Sequence, residues 1–158
     1  MTRQRRGFTL VELMVVATII GILTRIALPK YQRVRVRARA AAIVSELQVV
    51  RGAAYQAFED KGAWPLDAAT GKIPAAMSKL LPGSLSFTPE KKISYDWRLA
   101  GMPQGNPAKA TSAATMGMGV RTSDLVLRAE VQRQLGKQPT LVTGGIVYWL
   151  IWGPTVKP

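Results

Sequence analysis

The sequence predicts an α+β protein in which one long amino-terminal helix, membrane-spanning in its first half, packs on a small four-stranded antiparallel sheet. Three observations predict it. Residues 8–24 form a largely apolar run whose only charge is Glu12. Residues 30–60 contain no proline and one glycine, with apolar side chains recurring every three or four positions. Beyond residue 84, short β-branched and aromatic segments alternate with turn-forming ones.

The first element begins after a basic leader, MTRQRRG, with arginines at 3, 5 and 6. Adding Ile26, Ala27 and Leu28 to the apolar run, with Arg25 reaching toward the interface, gives residues 8–28 the roughly 20 positions a bilayer helix needs. An ordinary secretory signal would need small residues at its cleavage site. Arg25, three positions ahead of any cut after Ala27, argues against one. Glu12 is the informative residue. A carboxylate deep in such a helix costs about 2.5–3.5 kcal/mol and persists mainly where a partner or a task exists. The plainer reading places it among hydrated headgroups.

The second element continues the first. Pro29 lacks an N–H and crowds the preceding turn, so with Gly21 upstream it predicts a kink or a loosened stretch. Val36, Ala40, Ile43, Leu47, Val50, Ala54 and Ala57 draw one apolar stripe along residues 30–60. The two halves together make a helix of about 50 residues, roughly 75 Å long. Lys30 and the arginines at 33, 35, 37 and 39 follow the bilayer segment, so positive charge is denser beyond the span than in the leader, against the positive-inside tendency.

Gly62 and Pro65 stop the helix. Residues 66–82 read as a connecting loop with a helical turn near 75–81. Ser84–Thr88 and Ile93–Leu99 predict a hairpin around Pro89-Glu90-Lys91-Lys92. Met116–Arg121 predicts a third strand, and Gly145–Trp152 a fourth, apolar on both faces and so in need of cover on both. Between them, Ser123 or Asp124 caps a helix over Leu125–Leu135 that Gly136 ends.

The stretch GFTLVELMVVATIIGIL with ALPKYQ, residues 7–32, closely resembles the class III signal and amino-terminal helix of type IV pilins and type II secretion pseudopilins. The parts are jointly specific: a basic leader ending in Gly7, then Phe8, Glu12 five residues into the processed chain, and Pro29 near the end of the apolar run. The resemblance implies a pilin fold, with residues 1–7 removed by a prepilin peptidase on the cytoplasmic side and the new amine of Phe8 methylated. It implies residues 8–29 as membrane and filament-core helix, 30–60 as its amphipathic half and 61–158 as loop and sheet domain. It also implies an inner-membrane assembly platform, a life in the inner membrane and then in a periplasmic or extracellular filament, and a contact between Glu12 and the Phe8 amine of a neighbouring copy.

Composition narrows the rest. With no histidine and no cysteine, imidazole bases, thiolate nucleophiles and most zinc sites are excluded, and the scattered acids offer no calcium loop. No enzyme activity, cofactor or metal is expected. A disulfide of the kind that closes a loop in many pilins is impossible here. The formal charge of +13, from 22 basic and 9 acidic residues, falls to +10 once the three leader arginines are removed. Such a surface attracts lipid, acidic protein or nucleic acid. Two classes of function follow: a structural filament subunit, or a basic minor pilin that captures DNA through Lys91, Lys92, Arg98, Lys109 and Arg121, if the fold brings them together. A secretion pseudopilin shares every feature of the first class.

Overall fold

The computed structural model describes residues 8–101, 103–112 and 114–152; the leader, with Gly7, lies outside them. The chain divides into two compact units, one ending at Val36 and the other starting at Arg37. In chain order the elements are helix α1 (Leu10–Lys61), strand β1 (Ile93–Ala100), strand β2 (Thr115–Thr122), helix α2 (Leu125–Leu135), strand β3 (Thr140–Thr143) and strand β4 (Ile146–Trp152). The strands form one antiparallel sheet ordered β1-β2-β4-β3.

In the first unit every residue from Phe8 to Arg35 is exposed. Two threonines of its apolar run bond the helix's own backbone: Thr18 Oγ1 donates to Met14 O and Thr24 Oγ1 to Ile20 O, both at 2.8 Å. No hydroxyl of these two is left to face hydrocarbon unpaired. Helix α1 continues through Pro29.

In the second unit the predicted stripe is the buried one. Ala40, Ile43, Leu47, Val50, Ala54 and Ala57 are buried, Ala53 joins them, and Val36 lies half-exposed in the other unit. The sheet side chains of this core come from alternate positions of each strand: Ile93, Tyr95 and Trp97, then Met116, Met118 and Val120, then Val147, Trp149 and Ile151. Polar contacts fix the helix over them. Tyr95 Oη donates to Glu46, and the Arg51 guanidinium lies 5.1 Å from the Trp149 ring centre. Helix α2 adds Leu127, Val131 and Leu135, and Gln134 Nε2 donates to Arg37 O at 3.0 Å. Its ends follow the sequence reading: Asp124 Oδ1 accepts from the Val126 and Leu127 amides, and Gly136 closes the last turn on Arg133 O.

The opposite face of the sheet is organised by one row. Asp96 on β1 is paired with Gly119 on β2, and Gly119 with Tyr148 on β4. Having no side chain, Gly119 lets the Tyr148 ring lie across β2 and donate its hydroxyl to Asp96. The buried Asp96 carboxylate also accepts from Thr70 Oγ1 at 2.8 Å and Arg98 Nη2 at 3.3 Å. A buried charge this well partnered is tolerated and pins the loop carrying Thr70 to the sheet.

Two elements differ from expectation. Ser84–Thr88 is not a strand: it gives one ladder-like bond, Tyr95 N–H to Phe87 O at 2.8 Å, and inserts Phe87 into the core. The rest of that edge of β1 is occupied by Gly71, whose amide donates to Tyr95 O, and by Asp67, which accepts from the Leu99 amide. Prolines at 82 and 89 keep the segment short. The fourth strand is instead β3, joined to β4 by Gly144-Gly145, both with positive φ as a two-residue type I′ hairpin requires. Residues near 75–81 form the expected turn, with the Met77 amide donating to Pro74 O at 2.9 Å and the Leu81 amide to Met77 O at 3.2 Å.

Two outcomes follow. At Gly119 a Cβ would stand 2.5 Å from Ile146 Cγ2 and 2.7 Å from the Tyr148 ring, so Gly119→Ala should cost about 1–3 kcal/mol. Urea unfolding of the full chain in detergent checks it, and an unchanged midpoint contradicts the row. Burial, then the bond to Glu46, pushes the Tyr95 hydroxyl well above its ordinary value of 10.0. The native state therefore keeps a proton that the unfolded chain begins to release near pH 10, and stability should decline as pH rises past that point. In Tyr95→Phe the neutral-pH stability should drop by about 1 kcal/mol while the alkaline decline becomes shallower.

Candidate functional site

The amino terminus of α1 carries the residues that the sequence singles out. Glu12 is not a lone carboxylate: its Oε2 accepts from the Thr9 amide at 2.8 Å and from Thr9 Oγ1 at 2.7 Å, while the Glu12 amide donates back to Thr9 Oγ1 at 3.2 Å. This is a capping box, in which the side chains three residues apart satisfy each other's backbone donors at a helix start. Both incoming bonds end on Oε2. Among the described residues Oε1 has no hydrogen-bond partner, and the side chain is exposed. The carboxylate is thus held in one orientation with one oxygen open.

Around it stands an apolar surface with nothing to cover it. Phe8, Leu10, Val11, Leu13 and Met14 are all exposed, as is every large apolar side chain on to Leu28. Gly21 has no neighbour within 4 Å of where a Cβ would stand, so packing within this chain does not require a glycine there. One helix among the described residues, α1, is long and apolar enough to cross a membrane. Pro29 sits inside it, where it can give no N–H to the carbonyl of Arg25.

The five cations proposed for nucleic acid do not gather as one set. Lys91, Lys92 and Arg121 line a cleft of about 690 Å³ at one end of the sheet, where β1 begins, β2 ends and the Gly144-Gly145 turn enters β4. Ser123 and Arg128 complete its polar wall, with Arg128 Nη1 3.5 Å from Gly145 O. Among the described residues none of these four cations is in an ion pair. The acid on the rim, Glu90, is taken by Arg39 of α1. Arg98 stands apart on the outer face of the sheet, bound to Asp96 and 3.7 Å from Asp67. Lys109 ends a 3₁₀ turn in the β1–β2 connection. Arg128 escapes a sequence reading because only the return of α2 beside the β3–β4 turn brings it to the cleft.

Comparison with known proteins places these features. The signature described as the prokaryotic N-terminal methylation motif matches residues 2–25. The chain is 42% identical to the fimbrial protein EcpC of Eikenella corrodens over 74 residues, 47% of this chain and 48% of that protein. It is 28% identical to the type IV major pilin protein PilE of Neisseria gonorrhoeae over 124 residues, 78% of this chain and 72% of that one. A fimbrial protein of Pseudomonas aeruginosa is 45% identical over 56 residues, 35% of this chain and 36% of its own length. The match to the first of these relatives thus spans about half of its length. No solved structure matches the chain.

Removing the cap gives a local test. Thr9→Val should lose about 0.5–2 kcal/mol from the first turn, read as faster amide exchange at Val11, Glu12 and Leu13 with the sheet unchanged. Unaltered exchange at those amides contradicts the capping box.

Proposed function

From the premise that the chain belongs to the type IV pilin family, we propose that it is a structural subunit of a type IV pilus or pilus-like filament. The observation that carries this reading is the helix surface at residues 8–28, apolar all round and covered by nothing in its own chain. Before assembly that surface lies in the membrane. In the filament the same surface lies against copies of itself, and the dry helix bundle replaces lipid.

The prepilin peptidase cuts after Gly7, and the methylated amine of Phe8 becomes the new terminus. In the filament this amine, still a cation, meets Glu12 of a neighbouring copy. The capping box prepares the contact: Thr9 occupies Oε2 and leaves Oε1 free to accept. In a low-dielectric bundle an unneutralised carboxylate is disfavoured, and pairing relieves that cost only at one axial stagger. One interaction therefore favours leaving the bilayer and sets the register. Pro29 and Gly21 supply the loosened stretches at which the helix adapts to its neighbours. The inner-membrane platform would receive the processed subunit. Whether a pilus or a secretion pseudopilus is built, the physics of the subunit is the same.

The filament reading is preferred to DNA capture. Two of the five cations behind the latter, Arg98 and Lys109, stand away from the cleft, and Arg98 is already neutralised by acids of its own chain. Among the described residues lining the cleft none is aromatic, so they offer no ring on which a base could stack.

Charge and cap are separable at Glu12. Glu12→Gln keeps an acceptor for the Thr9 amide but carries no charge, so it should insert in the membrane normally and form no filaments, or misregistered ones, by electron microscopy. Filaments of normal number and repeat from Glu12→Gln contradict the ion pair.

A further inference from the structure

The chain has nine acids, and seven of them are engaged within it. Glu12 bonds Thr9, Glu46 accepts from Tyr95, and Asp67 and Asp96 hold Arg98. Glu90 pairs with Arg39, Asp124 caps α2, and Glu130 pairs with Arg133. Two remain. Glu59 and Asp60, adjacent and exposed at the end of α1, have no hydrogen bond or ion pair from their side chains among the described residues. The carboxyl end of the helix adds the negative pole of its dipole there. At the same time four cations that are in no ion pair among the described residues, Lys91, Lys92, Arg121 and Arg128, share one cleft of the same unit.

These two places lie at opposite ends of the same folded unit. The cleft is tied to the start of the amphipathic helix by Arg39 and Glu90. The far end of that helix is tied to the other end of the sheet, where the Trp64 amide donates to Gly105 O at 2.8 Å. The approach is so close that a Cβ on Gly105 would strike Trp64 O. From Arg39 to Asp60 the helix rises about 30 Å, so the acids cannot fold back into the cleft of their own chain.

We infer that the cleft receives Glu59 and Asp60 of a second copy of this chain, joining sheet domains head to tail. Complementary charges on different parts of one surface make a heterologous contact, which propagates into an open filament instead of closing into a dimer. The contact rests on the filament reading and extends it from the buried helices to the outer domains. Its role is to select stagger and orientation through charge, so it weakens with salt, unlike the apolar helix bundle.

The absence of native cysteines makes the test clean. In the full chain, Lys61→Cys beside the acids and Ser123→Cys on the cleft wall leave all the proposed partners intact. Treatment of the filament-bearing membrane fraction with a short bis-maleimide should give a ladder of dimers, trimers and longer chains. Adding Lys91→Glu with Lys92→Glu, or Glu59→Lys with Asp60→Lys, should each abolish the ladder. Combining the two reversals should restore it, which also shows that the variants fold. A ladder indifferent to the single reversals, a band at the dimer alone, or reversals that do not rescue each other overturns the contact. If the ladder is absent while filaments are visible, the contact is wrong and the filament reading stands. If both are absent, both are wrong.

Discussion

A helix whose apolar side chains point in every direction cannot be satisfied by one folded domain, and from this constraint the rest of the molecule follows. Residues 8–28 are exposed on all sides in the single chain. Most of their backbone donors and acceptors are used within the helix, and the three threonine hydroxyls in the run bond groups of the same helix, Thr9 to Glu12, Thr18 to Met14 O and Thr24 to Ile20 O. What is left is dispersion and hydrophobic surface with no internal partner, suited to lipid or to copies of itself and to little else. Glu12, held by Thr9 with one oxygen open, is the polar exception that gives such a surface a preferred alignment.

The second unit solves a different problem. Without a disulfide it holds its sheet by packing and by a few polar clasps placed where loops would otherwise lift away. Asp96 gathers Thr70, Arg98 and the Tyr148 hydroxyl across a glycine. Trp97 Nε1 donates to Pro65 O at 2.9 Å, and Trp64 stacks on Phe58 with ring centres 4.4 Å apart. With Asp96, the acids Glu46, Asp67, Glu90, Asp124 and Glu130 are also engaged within the unit, so that the excess positive charge is left at the surface with little internal compensation. The cleft at the start of β1 and the acidic end of α1 are what remains unbalanced at the two ends of the domain.

Much of this is legible in the chain itself. The three-and-four spacing of Ala40 to Ala57 reports the buried face of α1 directly, because a helix on a sheet has only one face to bury. Asp124 and Gly136 bracket α2 for local reasons that tertiary structure does not override. Local patterns were weaker guides where an edge is contested. Ser84–Thr88 has the composition of a strand, yet the backbone partners it would need on β1 are taken by Gly71 and Asp67. Thr140–Thr143 is short, but the Gly144-Gly145 pair beside it is a hairpin signal strong enough to reveal it. Reading Glu12 as a lone acid overlooks the Thr9-Leu10-Val11-Glu12 spacing of a capping box. The meeting of Lys91, Lys92, Arg121 and Arg128 depends on strand order, which no local pattern encodes.

The account turns on where the Glu12 carboxylate finds its charge partner once subunits assemble. Filaments built from a mixture of chains, half carrying ¹⁵N at the Phe8 amine and half carrying ¹³C at the Glu12 carboxyl, report this by solid-state NMR. A dipolar coupling between the two labels, corresponding to about 4 Å or less, is predicted, since it can arise only between copies. Filaments of normal repeat that show no such coupling would contradict it.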